Sequence, residues 1–253
     1  MPYLDRDGVD IYYAQHGAGD VTILLSHGYS ATSSMWRTQI DSLCDKFRVI
    51  CWDMRGHGKS SSPDDAALYS ETHTVQDMRA LLDECKVEQA VIAGLSLGGY
   101  MSLAFNATHP DRTCALMLFD TGPGYKNDEA RERWNKMARK RSAAFEQQGL
   151  TALGNGNEVQ IASHQSAAGL AHAARGMLTQ VDDHVIQSLP TITVPTLVLV
   201  GENDTAFLTP SDYMARKITR SIKVVLPNAG HASNIDQPQA FNQSILTFLT
   251  KHL

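Results

Sequence analysis

The stretch Val91-Ile92-Ala93-Gly94-Leu95-Ser96-Leu97-Gly98-Gly99-Tyr100 decides the fold of this sequence. The apolar run at 90–93 predicts a buried strand, and residues 100–108 have the spacing of a helix. Between them lies Gly-x-Ser-x-Gly, a pattern typical of a serine nucleophile on a sharp turn between strand and helix. Side chains in place of the two flanking glycines would strike neighbouring elements, and Ser96 itself is expected to be strained. A turn of small residues between closely packed elements can carry the same pattern, so its interpretation depends on the rest of the chain.

Length, composition and charge limit the class of protein. A chain of 253 residues suits one α/β domain with an insertion, or two small domains, and a hydrophobic share of 43% is enough for a substantial core. The net charge of −5, from 27 acidic and 22 basic residues, argues against a nucleic-acid surface. The first seven residues lack the apolar region of a secretory signal, and no apolar run approaches the ~18 residues of a membrane span. We therefore expect a cytoplasmic protein with no membrane span.

The cysteines give no sign of a disulfide framework or a metal site. Cys44, Cys51, Cys85 and Cys114 form no CxxC pair and show no zinc-like spacing with histidine. Most of them lie in or beside predicted strands and helices, so we expect buried free thiols. The sequence accordingly predicts neither a metal nor a cofactor.

Strands and helices alternate along most of the chain. A hairpin is predicted around Asp7-Gly8, and further strands are predicted at 21–25, 48–52, 90–93, 115–119, 196–200 and 223–226. Helices are predicted at 33–43, 74–85, 100–108, 210–218 and 238–249. Because the internal strands are continuously apolar, the sequence predicts an α/β fold with a mostly parallel central sheet covered by helices on both faces.

One long segment interrupts this alternation. Residues 121–189 open with Gly122-Pro123-Gly124, continue with a charged helix at 128–148, and show no strand pattern. We expect residues 1–120 and 190–253 to form the core domain and residues 121–189 to form a helical cap, or lid, over one end of the sheet.

Several polar or glycine-containing segments follow the predicted strands, where ligands bind in parallel sheets. These segments are Ser26-His27-Gly28, Asp53, the residues from 94 to 98, Asp120, the residues from 201 to 204, and His231. Because all these segments follow strands, together they support a ligand site at this edge of the sheet more strongly than any single motif does.

A serine hydroxyl needs a base to take its proton and an acid to orient that base. His231 lies in a glycine-containing loop between the last strand and the last helix, and the order Ser, Asp, His is the one expected after such a serine. Asp204, just past strand 196–200, is the preferred acid. Asp120 is the alternative acid, and Glu202 is a weaker one in the same loop as Asp204.

The oxyanion of an acyl-transfer intermediate needs fixed donors. We expect the backbone N–H of Leu97 to be one donor and the backbone N–H of Tyr29 to be the other. His27 is expected to brace this loop through hydrogen bonds of its ring, and the ring of Tyr29 is expected to line the substrate pocket.

The run Arg55-Gly56-His57-Gly58-Lys59-Ser60 ends like a phosphate-binding loop. It lacks the first glycine of that motif, since Asp53 stands at the required position. We interpret it as a glycine-rich turn held by Asp53 and Arg55.

With these residues in place, the chain resembles the α/β-hydrolase family, specifically the small capped serine hydrolases that include carboxylesterases and enol-lactonases. The resemblance covers nearly the whole chain and rests on residues 26–29, 53–60, 94–99, 201–204 and 230–231. It implies a catalytic triad of Ser96, Asp204 and His231 and an oxyanion hole of Tyr29 and Leu97. Epoxide hydrolases and haloalkane dehalogenases of this fold carry an aspartate at the position of Ser96, so acyl chemistry is favoured here.

The expected activity is that of a serine esterase, a carboxylic ester hydrolase. It would cleave esters or lactones of small to medium apolar substrates through an acyl-enzyme on Ser96. A cofactor-free C–C bond hydrolase and a ligand-binding receptor with slow turnover are the alternatives. The sequence leaves open the natural substrate, its chain length, the geometry of the cap and whether the chain forms a homo-oligomer.

The substrate pocket is expected to use apolar residues of the cap, although packing between lid helices would explain the same residues. The candidates are Tyr125, Trp134, Met137, Phe145, Leu150, Leu153, Met177 and Leu178. The basic face of helix 128–148 could attract an anionic substrate, but a solvated helix face is the preferred interpretation.

Overall fold

An eight-stranded sheet is the centre of the fold in residues 3–253, which the structure, a computed structural model, describes. Its strands are β1 (Tyr3–Asp5), β2 (Asp10–His16), β3 (Thr22–Ser26), β4 (Arg48–Trp52), β5 (Ala90–Leu95), β6 (Thr113–Phe119), β7 (Thr196–Gly201) and β8 (Ser221–Leu226). They lie in the order β1-β2-β4-β3-β5-β6-β7-β8. The pairs β1–β2 and β2–β4 are antiparallel and all other pairs are parallel, so the predicted mostly parallel sheet is confirmed.

Helices cover both faces of this sheet. They are α1 (Arg37–Leu43), α2 (Glu71–Glu84), α3 (Leu97–Thr108), α4 (Asp128–Gln148), α5 (Asn157–Gln160), α6 (Ala167–Gly176), α7 (His184–Ser188), α8 (Thr205–Lys217), α9 (Ser233–Asp236) and α10 (Pro238–His252). Short 3₁₀ segments occur at Ser33–Trp36, Ala66–Leu68, Pro110–Arg112, Gly149–Ala152 and Leu189–Thr191. No helix within residues 3–253 is long and apolar enough to cross a membrane.

Two apolar layers explain why the central strands have no exposed face. On β3, Leu24 packs into the layer that holds buried residues of α2, α3 and α8, whereas Ile23 and Leu25 pack into the layer of α1 and α10. All residues of β3, β5 and β7 are buried. Continuously apolar strands are expected where helices cover both faces of a parallel sheet.

The register of the strands brings their carboxyl ends together. Ser26 at the end of β3 pairs with Trp52 at the end of β4 and with Gly94 on β5. On the other side of β5, Leu95 pairs with Phe119 at the end of β6. The polar segments that follow these strands therefore lie along one edge of the sheet.

The chain between β6 and β7 is helical. Residues 121–189 contain α4, α5, α6 and α7, and none of these residues is in a strand. Helix α4 packs along α6, and its buried residues Ala138, Ser142 and Phe145 lie on one side. The charged side chains of α4 are mostly exposed.

Helix α2 begins at Glu71, three residues before its predicted start, and two further helices also begin earlier than the apolar spacing predicts. Helix α3 starts at Leu97, directly after the serine, because glycines 98 and 99 adopt helical backbone despite their low helix propensity. Helix α8 starts at Thr205, and Pro210 lies inside it rather than at its first turn. In both cases the tertiary fold overrides a local signal for a helix start.

Candidate active site

Ser96 lies at the junction of β5 and α3 with a strained backbone. Its φ of 56° and ψ of −115° are values that residues with side chains rarely adopt. The Ser96 amide donates to the carbonyl oxygen of Phe119 at 2.9 Å, and the Ser96 carbonyl accepts from the Tyr100 amide at 3.0 Å and the Thr121 hydroxyl at 2.7 Å. These hydrogen bonds hold the strained turn in place. The serine is left partly exposed at the carboxyl edge of the sheet.

The glycines beside this turn have no room for a side chain. A Cβ at Gly98 would lie 2.2 Å from the carbonyl oxygen of Ser26, and a Cβ at Gly94 would lie 2.3 Å from the carbonyl carbon of Gly98. Backbone atoms cannot move aside as the end of a flexible side chain can. The close approach of β3, β5 and α3 therefore requires glycine at both positions.

The carboxylate of Asp204 orients the imidazole of His231. Asp204 is buried between β7 and α8, while His231 lies in the loop after β8, and Nδ1 of His231 is 2.7 Å from Oδ2 of Asp204. With the Nδ1 proton directed at the carboxylate, Nε2 is free to accept a proton. Burial acts to lower the pKa of His231, but the hydrogen bond and charge of Asp204 outweigh it and hold that pKa above its ordinary value.

Phe207 connects His231 to the cavity onto which Ser96 opens. Its ring stacks on the imidazole with centroids 5.2 Å apart and planes 26° apart, and the same ring lines the cavity together with Ser96. At the end of β7, a Cβ on Gly201 would lie 2.3 Å from the carbonyl oxygen of Gly230. The absence of a side chain there lets the His231 loop pack against the strand that precedes Asp204.

Asp120, the alternative acid, has other partners. It is fully buried after β6, accepts a 2.8 Å hydrogen bond from the Gly201 amide, and accepts another from the hydroxyl of Ser233. Burial raises the pKa of Asp120 to about 7, against the opposing effect of these hydrogen bonds. The structure thus brings Asp204, rather than Asp120, into contact with the imidazole.

The two amides expected to bind an oxyanion lie beside Ser96. Leu97 directly follows the serine at the start of α3, and a Cβ on Gly28, next to Tyr29, would lie 3.4 Å from Cβ of Ser96. Within residues 3–253 neither amide donates to a protein acceptor. Both N–H groups are therefore free for a ligand.

The ring of Tyr29 does not line the cavity, contrary to expectation. Its hydroxyl donates to the carbonyl oxygen of Leu170 on α6 at 2.8 Å, and its ring packs edge-on against Phe145 of α4. These contacts turn the ring towards the helices of residues 121–189, because the hydroxyl finds an acceptor there.

His27 braces the loop after β3. Its Nε2 accepts from the Met54 amide at 2.9 Å, which places the ring proton on Nδ1, where it donates to the Gly28 carbonyl at 2.7 Å. Complete burial lowers the pKa of His27, in keeping with a neutral ring. The imidazole thereby ties the Gly28-Tyr29 turn to the loop after β4.

The turn at 53–60 is organised by a carboxylate and a buried ion pair. Asp53 accepts from the amides of Ser33 at 2.7 Å and Lys59 at 2.9 Å. Arg55 makes two hydrogen bonds, of 2.6 and 2.8 Å, to the buried Asp77 of α2. The groups of this turn are thus occupied in holding the loop, as the glycine-rich turn interpretation predicts.

The cavity beside Ser96 has a volume of about 120 Å³ and lies between the sheet edge and residues 121–189. Its floor is formed by Ser96, Leu97 and Tyr100, and one wall by residues 121–125. The remaining walls come from Trp134, Leu178 and Gln180 on one side and Ala206, Phe207 and Pro210 of α8 on the other. The cavity is narrow and mostly apolar.

Only part of the expected pocket set lines this cavity. Tyr125, Trp134 and Leu178 do so, whereas Met137, Phe145, Leu150, Leu153 and Met177 do not. Met137 and Leu150 lie on the surface, Phe145 and Leu153 pack around Leu170, and Met177 is buried in the sheet-side core. Apolar character alone does not separate residues that pack between helices from residues that face a cavity.

Several lining residues escaped the sequence analysis. Tyr100, Thr121, Gln180 and Phe207 line the cavity beside the residues already considered. For three of them, the place along the chain could have predicted a position at the cavity. Tyr100 is one helical turn after Ser96, Thr121 follows β6, and Phe207 is in the first turn after Asp204. Gln180 carries no local signal.

Residues 3–253 contain no group of three or more His, Cys, Asp or Glu side chains arranged to hold a metal ion. The four cysteines are free thiols, and burial raises the pKa of those at 51, 85 and 114. The geometry provides a serine, an imidazole–carboxylate pair and free amides.

Comparisons with known proteins show what the chain as a whole is similar to. Residues 23–244 match the profile described as "Alpha/beta hydrolase family". The chain is 29% identical to a putative 2-succinyl-6-hydroxy-2,4-cyclohexadiene-1-carboxylate synthase of Bacillus subtilis, over 96% of both chains. It is also 29% identical to 3-oxoadipate enol-lactonase 2 of Acinetobacter baylyi, over 96% of this chain and 94% of that one.

Among solved structures, a thermophilic esterase from Thermogutta terrifontis has a similar fold. It superposes with a TM-score of 0.82 at 29% identity, over 100% of this chain and 98% of the esterase. The match extends through residues 121–189 as well as the sheet.

Proposed function

The chain belongs to the alpha/beta hydrolase family, and from this premise we propose that it is a serine hydrolase of carboxylic esters or lactones. Ser96 would be the nucleophile, His231 the general base and Asp204 the acid that orients it. The backbone amides of Tyr29 and Leu97 would form the oxyanion hole. Residues 121–189 would act as the lid domain that shapes the substrate site.

The reaction would proceed in two acyl transfers. His231 Nε2 takes the proton of the Ser96 hydroxyl as its oxygen attacks the carbonyl carbon of the substrate. The amides of Tyr29 and Leu97 stabilise the resulting oxyanion, and His231 gives the proton to the leaving alcohol. Water activated by His231 then attacks the acyl-enzyme, and the acid is released with Ser96 restored.

The proposal rests on one observation. Ser96, whose backbone is strained, opens on a cavity, and Phe207 in the wall of that cavity stacks on the imidazole of His231, which contacts Asp204. The strain of Ser96 and the 2.7 Å contact between Asp204 and His231 are difficult to explain as packing alone. The 3-oxoadipate enol-lactonase and the esterase among the relatives support ester and lactone substrates.

A C–C bond hydrolase and a slow ligand-binding receptor remain the rival proposals. The name of the synthase among the relatives gives its product a carboxylate, whereas within residues 3–253 no cationic side chain lines the cavity. The receptor proposal keeps the same triad but predicts slow turnover of every activated ester, whereas the relatives described above are named as a synthase, an enol-lactonase and an esterase. Both rivals are therefore placed below the ester or lactone hydrolase.

The test is covalent labelling with a fluorophosphonate, which reacts with activated serines. We expect stoichiometric labelling of the wild-type protein and none of Ser96→Ala. Ser102→Ala is the matched control, because Ser102 is buried on the same helix and donates to the carbonyl of Gly98. Labelling of Ser96→Ala at the wild-type rate would show that another group is the nucleophile.

A further inference from the structure

The side-chain amide of Gln180 has no hydrogen-bond partner although it lies in the cavity wall. Gln180 is 7% exposed, and its Oε1 is buried without a partner in residues 3–253. The same residue lines the cavity onto which Ser96 opens. A buried carbonyl oxygen left unpaired costs about 1–3 kcal/mol, so such an atom calls for an explanation.

The backbone of Gln180 is held firmly by α4. The side chain of Asn135 accepts from the Gln180 amide at 2.8 Å and donates to the Gln180 carbonyl, also at 2.8 Å. Directly before Asn135 on the same helix, Trp134 Nε1 donates to the carbonyl of Leu178 at 2.7 Å. These three bonds fix the segment 178–180 against α4, so the side chain of Gln180 leaves a rigid backbone.

Gly124 leaves the space that the Gln180 amide occupies. A Cβ on Gly124, whose φ is +90°, would lie 2.8 Å from Oε1 of Gln180 and 3.4 Å from the ring of Tyr100. The amide oxygen thus lies between the loop after β6 and Tyr100, which forms part of the cavity floor. Gly124, Tyr100 and Gln180 all line the same cavity as Ser96.

The cavity offers no cation for a carboxylate. None of its lining residues is Lys, Arg or His. Two charged groups close to Tyr100 are already engaged in hydrogen bonds: Arg131 bonds to the carbonyl of Tyr125 and to Asp128, and Glu71 accepts from the hydroxyl of Tyr100 at 2.8 Å. The acidic group behind Tyr100 disfavours an anion in the cavity, and desolvating a carboxylate without a partner is costly.

We infer that the substrate is a neutral ester or lactone bearing a hydrogen-bond donor, such as an amide N–H or a hydroxyl, beside the reactive carbonyl, and that Oε1 of Gln180 accepts from this donor. The inference rests on the proposed function and names its substrate class. The donor satisfies the buried oxygen when the substrate is bound, and the apolar walls hold the remainder of the molecule. Anionic lactones are excluded by the lack of a partner for their charge.

Three γ-butyrolactones of nearly equal shape test this inference. They carry at the α-carbon an acetamido group, an isobutyl group or a carboxymethyl group, and so present a donor, no polar group or a negative charge. For the wild-type protein we expect kcat/KM to fall in that order. In Gln180→Met, which keeps the length of the side chain but loses the amide, the acetamido-to-isobutyl ratio should fall roughly five- to tenfold.

Two further variants separate the role of Oε1 from that of folding. Gln180→Glu keeps an acceptor and should retain the acetamido preference within about threefold while lowering the relative rate of the carboxymethyl lactone. Gln187→Met alters an exposed glutamine of α7 and should leave both ratios within about twofold of wild type. Fluorophosphonate labelling of each variant reports an intact nucleophile.

The outcomes distinguish this inference from the proposed function. Loss of Ser96-dependent labelling in the wild-type protein would overturn the proposed function and the inference with it. Normal labelling with an unchanged acetamido-to-isobutyl ratio in Gln180→Met would overturn the inference alone. It would also be overturned by turnover of the carboxymethyl lactone at the rate of the acetamido lactone, or by no turnover of any of the three by a normally labelled protein.

Discussion

The carboxylates of Asp204 and Asp120 both lie near His231, and their different contacts indicate different roles. Asp204 touches the imidazole, whereas Asp120 binds the Gly201 amide and the Ser233 hydroxyl. An asparagine at 204 would favour the wrong tautomer of His231, because its amide N–H would face Nδ1. An asparagine at 120 can keep both contacts, since its oxygen accepts from Gly201 and its NH₂ donates to Ser233.

We therefore expect Asp204→Asn to lower kcat about 10³- to 10⁴-fold and Asp120→Asn to lower it less than about tenfold. Steady-state kinetics on a p-nitrophenyl ester would measure both. A larger loss in Asp120→Asn than in Asp204→Asn would assign the orienting acid to Asp120.

The raised pKa of His231 sets the acidic limb of activity. The base must be neutral, so kcat/KM falls as the pH drops through the pKa of the free enzyme's imidazole. We expect this limb above pH 6.5, and we expect it to move to lower pH in Asp204→Asn, because the carboxylate that stabilises the charged ring is gone. Profiles with the same midpoint in both proteins would contradict this origin of the shift.

Gly98 is the residue where the turn has least space. A methyl group there would meet the Ser26 carbonyl oxygen at 2.2 Å, so β3 and α3 would have to separate. We expect Gly98→Ala to destabilise the fold by on the order of 1–3 kcal/mol and to abolish fluorophosphonate labelling. Chemical denaturation and labelling would measure the two effects, and wild-type values of both would show that the turn tolerates a side chain.

At the scale of elements, a buried ion pair joins the loop after β4 to α2. Arg55 and Asp77 are almost completely buried and bond twice to each other, and Arg6 adds a third contact to Asp77 at 3.3 Å. Removing one member of such a pair leaves an uncompensated charge.

We expect Asp77→Leu to cost about 3–5 kcal/mol of unfolding free energy, and the double variant Arg55→Met/Asp77→Leu to recover much of that loss. Urea denaturation of the three proteins would measure the coupling. The exposed pair of Arg139 and Glu132 on α4 is the control, since Glu132→Leu should cost less than about 1 kcal/mol. Equal losses at both sites would show that burial of the pair is unimportant.

For the whole molecule, Asp120 links stability to pH. Its folded pKa of about 7 lies above the ordinary value of 3.8, so between these values the folded state keeps a proton that the unfolded state releases. The stabilisation from this group is complete below pH 3.8 and is lost as the pH rises to about 7.

Relative to Asp120→Asn, the wild-type protein should therefore lose up to about 1.4 kcal/mol of unfolding free energy for each pH unit within this window. Denaturation curves at several pH values between 4 and 8 would show the difference. Parallel pH dependences in the two proteins would mean that Asp120 is ionised in the folded state throughout.

Much of the fold was predictable because it follows from local signals that agree with each other. Continuous apolar strands, the glycines around Ser96 and the polar groups after each strand all point to one sheet edge. Helix starts were less predictable: Leu97 and Thr205 begin helices that local spacing places later. Tertiary packing sets these starts, and a single sequence does not contain it.

The cavity was the least predictable part. Met177 and Leu178 are adjacent and both apolar, yet one is buried in the core and the other lines the cavity. The difference depends on how α4 packs on residues 178–180 through Asn135 and Trp134. Gln180 is identified as a candidate substrate contact only from the structure, which shows its side-chain oxygen without a hydrogen-bond partner.

The central claim is that Ser96 carries an acyl group during turnover, and trapping that group tests it most directly. Rapid acid quench of the protein mixed with p-nitrophenyl acetate, followed by peptide mass spectrometry, would locate the acyl group. We predict an acetyl ester on Ser96, formed with a burst of p-nitrophenol that approaches one equivalent when deacylation is the slower step. Steady turnover with no burst and no acetyl group on Ser96, or with the acetyl group on another residue, would contradict the account.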